Sequence, residues 1–491
     1  MAIAAVGMSG VGKTALARHY VMRHRSDYPG GVWWLSASSV VLEVLGHADR
    51  MGLRVELSMD WTEAQIVQHY FDRWSDRFGD RKLLVIDDVT AYEAVKAFLP
   101  KQGSFQVLMT TKVKFGKPVK RLDLGMLRPS AAFRLLRSHI DDDDKFKLAI
   151  PAAKDLCEWL GYLPLAIELV GRYLAQTGTI ASVLVQLQAE ALDSRAIGQV
   201  HGEMDYKHNV RAAIELSWKP LDDEARRVAM VLGVFALGAI ELGWVKRCVH
   251  AEAVEEILDL DLVRRSLVER TEEGYRLHSL VREFLREKLA AIENGDEVRR
   301  SFAQLMTDKA KTIDTTGRTE MLNAVRSAIS HLEAATTYVR LLEKEDDRTW
   351  SFTGLLWFYQ GQSLWTEAED WADRCCKFAT DHFGDRHPDT VISLNNLALL
   401  YQSMGQYERA LPLYESALEI MRSELGDRHP HTAGSLFNLA ALYYNTQKYQ
   451  KALIFIQEAL EIYIPTLGNE HPTTQNANDW LQKIQQAISN Q

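Results

Sequence analysis

Cysteine is scarce: four in 491 residues, namely Cys157, Cys248 and the adjacent Cys375 and Cys376. None has the spacing of a metal site or a redox motif, so a reduced, cytoplasmic setting is expected. No apolar run approaches the ~20 residues of a membrane span, and no charged-then-apolar leader opens the chain. Positive charge is not in excess. There are 57 Lys and Arg against 66 Asp and Glu, a net charge of −9, which argues against a dominant electrostatic role on nucleic acid or membrane. Apolar residues are not lacking. At 47% hydrophobic and 25% charged, the composition rules out global disorder. A length of 491 residues, at ~100–200 per domain, predicts about three domains.

The clearest local pattern stands near the start. Ala2–Val6 reads as a short buried strand, and Ala15 to Arg23 as a helix. Between them run Gly7, Met8, Ser9, Gly10, Val11, Gly12, Lys13 and Thr14. This is the P-loop pattern G-x-x-x-x-G-K-[ST], in the strand–loop–helix setting that gives it meaning. Its glycines let backbone N–H groups wrap phosphates at a helix N-terminus. Lys13 would neutralise phosphate charge, and the Thr14 hydroxyl would meet Mg²⁺.

A partner strand ending in Asp is required, and Lys82–Asp88 supplies it. Its Leu-Leu-Val-Ile run suits a strand buried on both faces of a parallel sheet. Asp87 would hold Mg²⁺, and Asp88 would orient or deprotonate a water. Capping of the next helix is the other reading of Asp88. A further strand, Gln106–Thr111, ends in Thr110, Thr111 and Lys112, an edge suited to sensing a γ-phosphate. Gly31–Ser36 reads as another strand and Thr62 to Arg77 as an amphipathic helix. Strands alternating with helices imply a doubly wound parallel sheet.

These motifs, in this order, resemble the NB-ARC class of signal-transduction ATPases along most of residues 1–290. Thr110-Thr111-Lys112 resembles that family's Thr-Thr-Arg sensor, with Lys in place of Arg. Leu160–Ile167 resembles its Gly-Leu-Pro-Leu segment, which implies that Pro164 packs beside bound nucleotide. Residues 209–290 resemble its winged-helix portion, with Val210 to Leu221 as the opening helix. Tyr275–Val281 resembles its Met-His-Asp motif, with Leu277 for Met and Ser279 for Asp. The resemblance implies that His278 contacts the β-phosphate of ADP and locks a closed state. The acidic total and the resemblance both favour a packing module over a reader of DNA.

The second strong signal is a repeat. Gly384-Asp-Arg-His-Pro388 recurs as Gly426–Pro430, and a variant stands at Gly468–Pro472, each step 42 residues. Asn396-Leu-Ala398 recurs as Asn438-Leu-Ala440, Tyr401 as Tyr443, Tyr407 as Tyr449, and Ala417–Ile420 as Ala459–Ile462. Small residues there let paired helices approach, and large ones fill the gaps. The period exceeds the roughly 34 of the common tetratricopeptide repeat and resembles the long variant of kinesin light chains. A degenerate copy lies at 352–380, and the polar helix Thr473 to Ser489 caps the array. Such arrays bind peptides or protein surfaces, with Asn395, Asn396 and Asn438 as groove candidates. Ala324 to Leu342 reads as one amphipathic helix, and Asp141 to Asp144 as a solvated acidic loop.

The expected fold class is thus multidomain α/β plus α. A P-loop nucleotide-binding domain spans 1–125, a helical module 126–205 and a winged-helix-like module 206–290. A helical connector spans 291–351, and an α-solenoid of tetratricopeptide repeats 352–491. The expected function is an ADP/ATP-binding switch with Mg²⁺ and slow hydrolysis at most. The repeats sense a protein or peptide ligand, and exchange to ATP drives opening and homo-oligomerisation. Six residues precede Gly7, whereas the resemblance implies an effector or adaptor domain ahead of the P-loop. The expectation is either that a preceding segment is missing from the sequence or that a separate effector supplies the output, with a weakened adenine grip. Two alternatives stand: an interaction scaffold with a structural nucleotide, and a winged-helix transcriptional regulator.

Overall fold

Leu83 to Ile86 are at most 1% exposed. That burial on both faces places their strand at the inside of a parallel sheet. In the computed structural model the strands are β1 (Ala2–Val6), β2 (Val32–Ser36), β3 (Lys82–Val89), β4 (Phe105–Thr111) and β5 (Lys120–Asp123). They are ordered β2-β3-β4-β1-β5, all parallel. The C-terminal ends of β1, β3 and β4 lie side by side, where open α/β sheets place their ligands. Trp33 and Trp74 stack at 4.1 Å between ring centroids and anchor the β2 side of the core. The structure describes residues 2–55, 57, 61–102, 104–140, 143–176, 179–195, 203–249, 251, 253–315 and 317–490. The acidic run at 141–144 falls partly outside these, and its second half opens the short helix Asp143–Leu148.

Two units make up the chain, residues 1–298 and 299–491. In the first, helix α1 (Lys13–His24) follows the P-loop and helix α2 (Pro164–Leu174) carries the Leu-Pro-Leu segment. The helix expected over Val210 to Leu221 spans Glu203–Trp218. It stops before Pro220 because the residue preceding a proline is driven out of the α region. Beyond it a hairpin of β6 (Glu269–Thr271) and β7 (Gly274–Arg276) leads into helix α3 (Ser279–Ala290). Ile240 bridges Tyr275 through two backbone bonds of 2.8 and 2.9 Å, which ties the hairpin to the helices before it.

The second unit is helical. Residues 324–342 form a chain of short pieces rather than the single helix expected: α-helix to Val325, a 3₁₀ turn at Arg326–Ala328, α-helix at Ile329–Ala335, and 3₁₀ again at Thr336–Leu341. The Thr336 and Thr337 hydroxyls donate back to the carbonyls of Glu333 and Ala334, at 2.7 and 2.8 Å. That three-residue back-bonding favours the tighter helix. The repeats follow as helix pairs: Trp350–Gly361 with Trp365–Phe383, Pro388–Ser403 with α4 (Tyr407–Leu425), and α5 (Pro430–Asn445) with α6 (Tyr449–Leu467). A final helix, Pro472–Ser489, closes the array. Ala398, Ala410, Ala417, Ala440, Ala452 and Ala459 are all fully buried between helices.

The Gly-Asp-Arg-His-Pro motif is a helix-to-helix connector. Gly384, Gly426 and Gly468 take φ of +93°, +87° and +88° with ψ of 164°, 166° and 162°, an extended positive-φ conformation essentially reserved for glycine that ends each second helix. His387, His429 and His471 then cap the next helix. Each Nδ1 accepts the N–H two residues on, at 3.2 Å, with Pro in the first helical position. The glycine, histidine and proline of the motif therefore serve the fold. Among the described residues no helix is long and apolar enough to cross a membrane.

Candidate functional site

The loop after β1 is shaped by close packing. The Gly7 N–H donates to the Thr111 carbonyl at 3.1 Å. A Cβ at Gly7 would lie 2.6 Å from the Leu124 carbonyl and 2.9 Å from Val11, so only glycine fits. Gly12 caps α1 at φ +91°. The unpaired N–H groups of the first turn of α1 therefore open onto the loop. Behind the loop, the Leu165 N–H donates to the Gly10 carbonyl at 3.4 Å. Pro164 is the first residue of α2, so the segment that carries it backs directly onto the P-loop.

Lys13 is buried, and its Nζ donates to the Met8 carbonyl at 2.9 Å. Burial, and next the charge of Lys112, hold its pKa below the usual lysine value, while Asp88 and Asp87 act in the other direction. Two lysines beside the loop are suited to an anion. Asp87 Oδ1 accepts from the hydroxyls of Thr14, at 2.9 Å, and Thr110. Thr110 Oγ1 in turn accepts the Asp88 N–H at 2.8 Å. Thr14 and Asp87 thus present hard oxygens side by side, the donor chemistry Mg²⁺ takes. Thr111 is buried, and its hydroxyl is engaged by the Val89 carbonyl at 2.6 Å. Asp88 is exposed and left-handed, φ +56°. It does not cap the next helix, whose N-cap is Ala91.

The C-terminal part of the first unit meets this loop. Ser9 and Ser279 hydroxyls stand 3.4 Å apart. Arg18 of α1 pairs with Glu269 of β6 at 2.9 Å, an exposed contact worth little energy. His278 caps α3, its Nδ1 accepting the Leu280 N–H at 3.2 Å. That bond assigns the neutral ring's proton to Nε2, which leaves one free donor. Crowding by surrounding protein, then Lys112 and Lys13, pushes the His278 pKa down to about 4. The ring is neutral at pH 7. The Ser9–Ser279 contact could not be read from sequence, because nothing local relates residues 270 positions apart.

His47 shows the same direction, held at about 4 by burial and next by Arg50, with its ring stacked on Trp33 at 5.0 Å. Its folded pKa lies below the unfolded value of ~6.5. The stability tied to the neutral ring is complete above pH ~6.5 and is lost as pH falls toward 4. Acidifying from pH 7 to 5 should therefore weaken this unit, with roughly 1–2 kcal/mol from His47. Protection factors of β2 and β3 amides in the full chain, each corrected for the intrinsic exchange rate at its pH, should fall accordingly. In His47→Gln that fall should be smaller, and an unchanged pH response would count against the assignment.

A P-loop on a parallel sheet, facing a hydroxyl–carboxylate pair, defines a P-loop nucleotide-binding protein, here joined to a helical-repeat array. Residues 1–144 match the NB-ARC domain family, and residues 357–423 and 389–464 match the tetratricopeptide repeat. The chain thus carries an NB-ARC domain at 1–144 and tetratricopeptide repeats at 357–464. It is 27% identical over 309 residues to the regulatory protein AfsR of Streptomyces coelicolor, covering 58% of this chain and 29% of that one. It is 23% identical over 252 residues to a probable disease resistance RPP8-like protein 2 of Arabidopsis thaliana, covering 47% and 26%. The match thus spans under a third of each relative's length. Among solved structures, it aligns with a signal transduction ATPase with a tetratricopeptide repeat sensor from Pyrococcus horikoshii. The TM-score is 0.41 at 15% identity, covering 100% of this chain and 86% of that one.

Proposed function

We propose that the chain is a nucleotide-gated signalling switch read out through its repeats. The observation that carries this reading is the convergence of His278 and Ser279 on the P-loop. Gly7 to Gly12 wrap the phosphates with backbone N–H groups, and Lys13 and Lys112 neutralise them. Thr14 and Asp87 hold Mg²⁺, and Asp88 faces the water side. Bound ATP would supply a transferable phosphoryl group. The chain's own residues orient and neutralise it, and turnover is slow at most. His278 offers its neutral Nε2 donor in the closed arrangement of the first unit, which favours ADP, and opening withdraws it. The 206–290 segment is then a latch rather than a DNA reader, and the repeats receive a protein or peptide ligand. Opening leads to homo-oligomers. The names of the relatives, a regulatory protein and a disease resistance protein, support a regulatory role.

The test is to identify the nucleotide that co-purifies with the full chain by mass spectrometry, then compare its mass in solution with ADP and with ATP. ADP in the isolated protein and a larger species with ATP are expected. Equal mass with both, and no exchange, would instead indicate a scaffold with a structural nucleotide.

A further inference from the structure

The repeats hold an open cleft with an apolar floor and an acidic rim. It opens between α4 and α6, the second helices of two successive pairs, over α5, and its volume is about 520 Å³. That size is within the range of ligand-binding clefts, ~300–1,000 Å³. The floor is Leu418 and Leu439, both buried. Phe455 forms a half-buried wall, stacked on Tyr443 at 5.4 Å.

The rim is negative. Glu415, Glu419 and Asp427 are exposed on it. The cation among the lining residues, Arg422, is already engaged by Asp427 at 3.4 Å and Glu458 at 3.1 Å. Glu415 and Glu419 stand one helical turn apart, a spacing at which like charges repel by a few tenths of a kcal/mol (~0.2–0.5). The 42-residue register shows that this pair is particular to the groove: the equivalent positions are Asp373 and Lys377 one repeat earlier, and Gln457 and Glu461 one repeat later. The chain therefore keeps an unfavourable acidic pair beside an apolar floor. From Glu415 to Ser423 the lining runs along about 12 Å of helix, longer than a single ion needs and suited to a short peptide.

We infer that this cavity docks a basic amphipathic protein segment. An apolar side chain seats on Leu418, Leu439 and Phe455, and Lys or Arg one turn away meets Glu415 and Glu419. The inference rests on the reading of the repeats as the ligand-binding part, and it specifies that ligand's chemistry. Charge complementarity chooses the occupant, and the apolar floor supplies affinity that salt does not screen.

The test uses the full chain and two labelled 14-residue helical peptides, one of Leu and Lys, the other with Glu in place of every Lys. Fluorescence anisotropy should show the Leu/Lys peptide binding and the Leu/Glu peptide failing to bind. The double variant Glu415→Lys, Glu419→Lys changes exposed side chains only, so it should fold. It should weaken the Leu/Lys peptide at least 10-fold and gain the Leu/Glu peptide. Leu/Lys binding unchanged by the reversal, a wild-type preference for Leu/Glu, or no binding of either peptide overturns the inference. ADP release measured in the same samples separates this from the switch reading. Reversal-sensitive binding with ADP release unchanged supports the docking site and counts against the switch.

Discussion

Lys13→Ala should lower the affinity for both ADP and ATP by roughly 30- to 1,000-fold, the ~2–4 kcal/mol typical of removing one partner from a desolvated, charge-assisted contact. The size follows from the environment. The Lys13 ammonium is held below its usual pKa by burial and by Lys112. It is therefore an incompletely compensated cation, and an arriving phosphate gains more from it than from an exposed lysine. Stability should move little. The variant removes an unfavourable desolvation and leaves the Met8 carbonyl, which Lys13 engages at 2.9 Å, able to meet water. Titration with a fluorescent nucleotide analogue, beside a thermal melt, checks both parts. Wild-type affinity in the variant would remove the P-loop assignment, and a large fall in Tm would mean that Lys13 serves the fold instead.

The parts of the site that sequence discloses are those built from neighbours. Gly7 to Thr14 lie on one loop, and their spacing alone specifies a phosphate cradle. Asp87 is marked by the apolar run before it, since β3 must be buried and must end at the sheet's ligand edge. The 42-residue period likewise records contacts between adjacent helices. What sequence does not disclose depends on distant chain. β5 is the four-residue strand Lys120–Asp123, all of it exposed. It has no apolar pattern, and becomes a strand only because β1 offers an edge to pair with. Thr110 and Thr111 look equivalent on paper. The strand's alternation sends one hydroxyl to Asp87 and the other to the Val89 carbonyl. The His of each Gly-Asp-Arg-His-Pro motif invites a functional reading, yet its ring is a helix cap.

Gly274→Ala should separate closure from phosphate binding. Gly274 opens β7 at φ +135°, a conformation that side-chain-bearing residues rarely adopt. A Cβ there would lie 2.4 Å from the Ile240 carbonyl oxygen and 2.9 Å from its carbon. Both contacts are backbone, so no rotamer change relieves them. The bridge between Ile240 and Tyr275, with its two bonds of 2.8 and 2.9 Å, must open. The cost is about 3–5 kcal/mol, from backbone strain of ~1–3 and two lost hydrogen bonds at ~1 each. Most of it falls locally, because β6 and β7 form a two-stranded sheet of their own, bridged to Ile240. His278 follows β7 by two residues, so it is displaced with the strand. Amide exchange at Ile240 and Tyr275 should rise steeply. In the switch reading ADP should leave at least 10-fold faster, since the Nε2 donor no longer reaches it, whereas ATP affinity should change much less because Gly7 to Thr14 are untouched. That pattern contrasts with Lys13→Ala, which loses both nucleotides. If Gly274→Ala opened the hairpin and ADP release did not change, His278 would be a helix cap and nothing more.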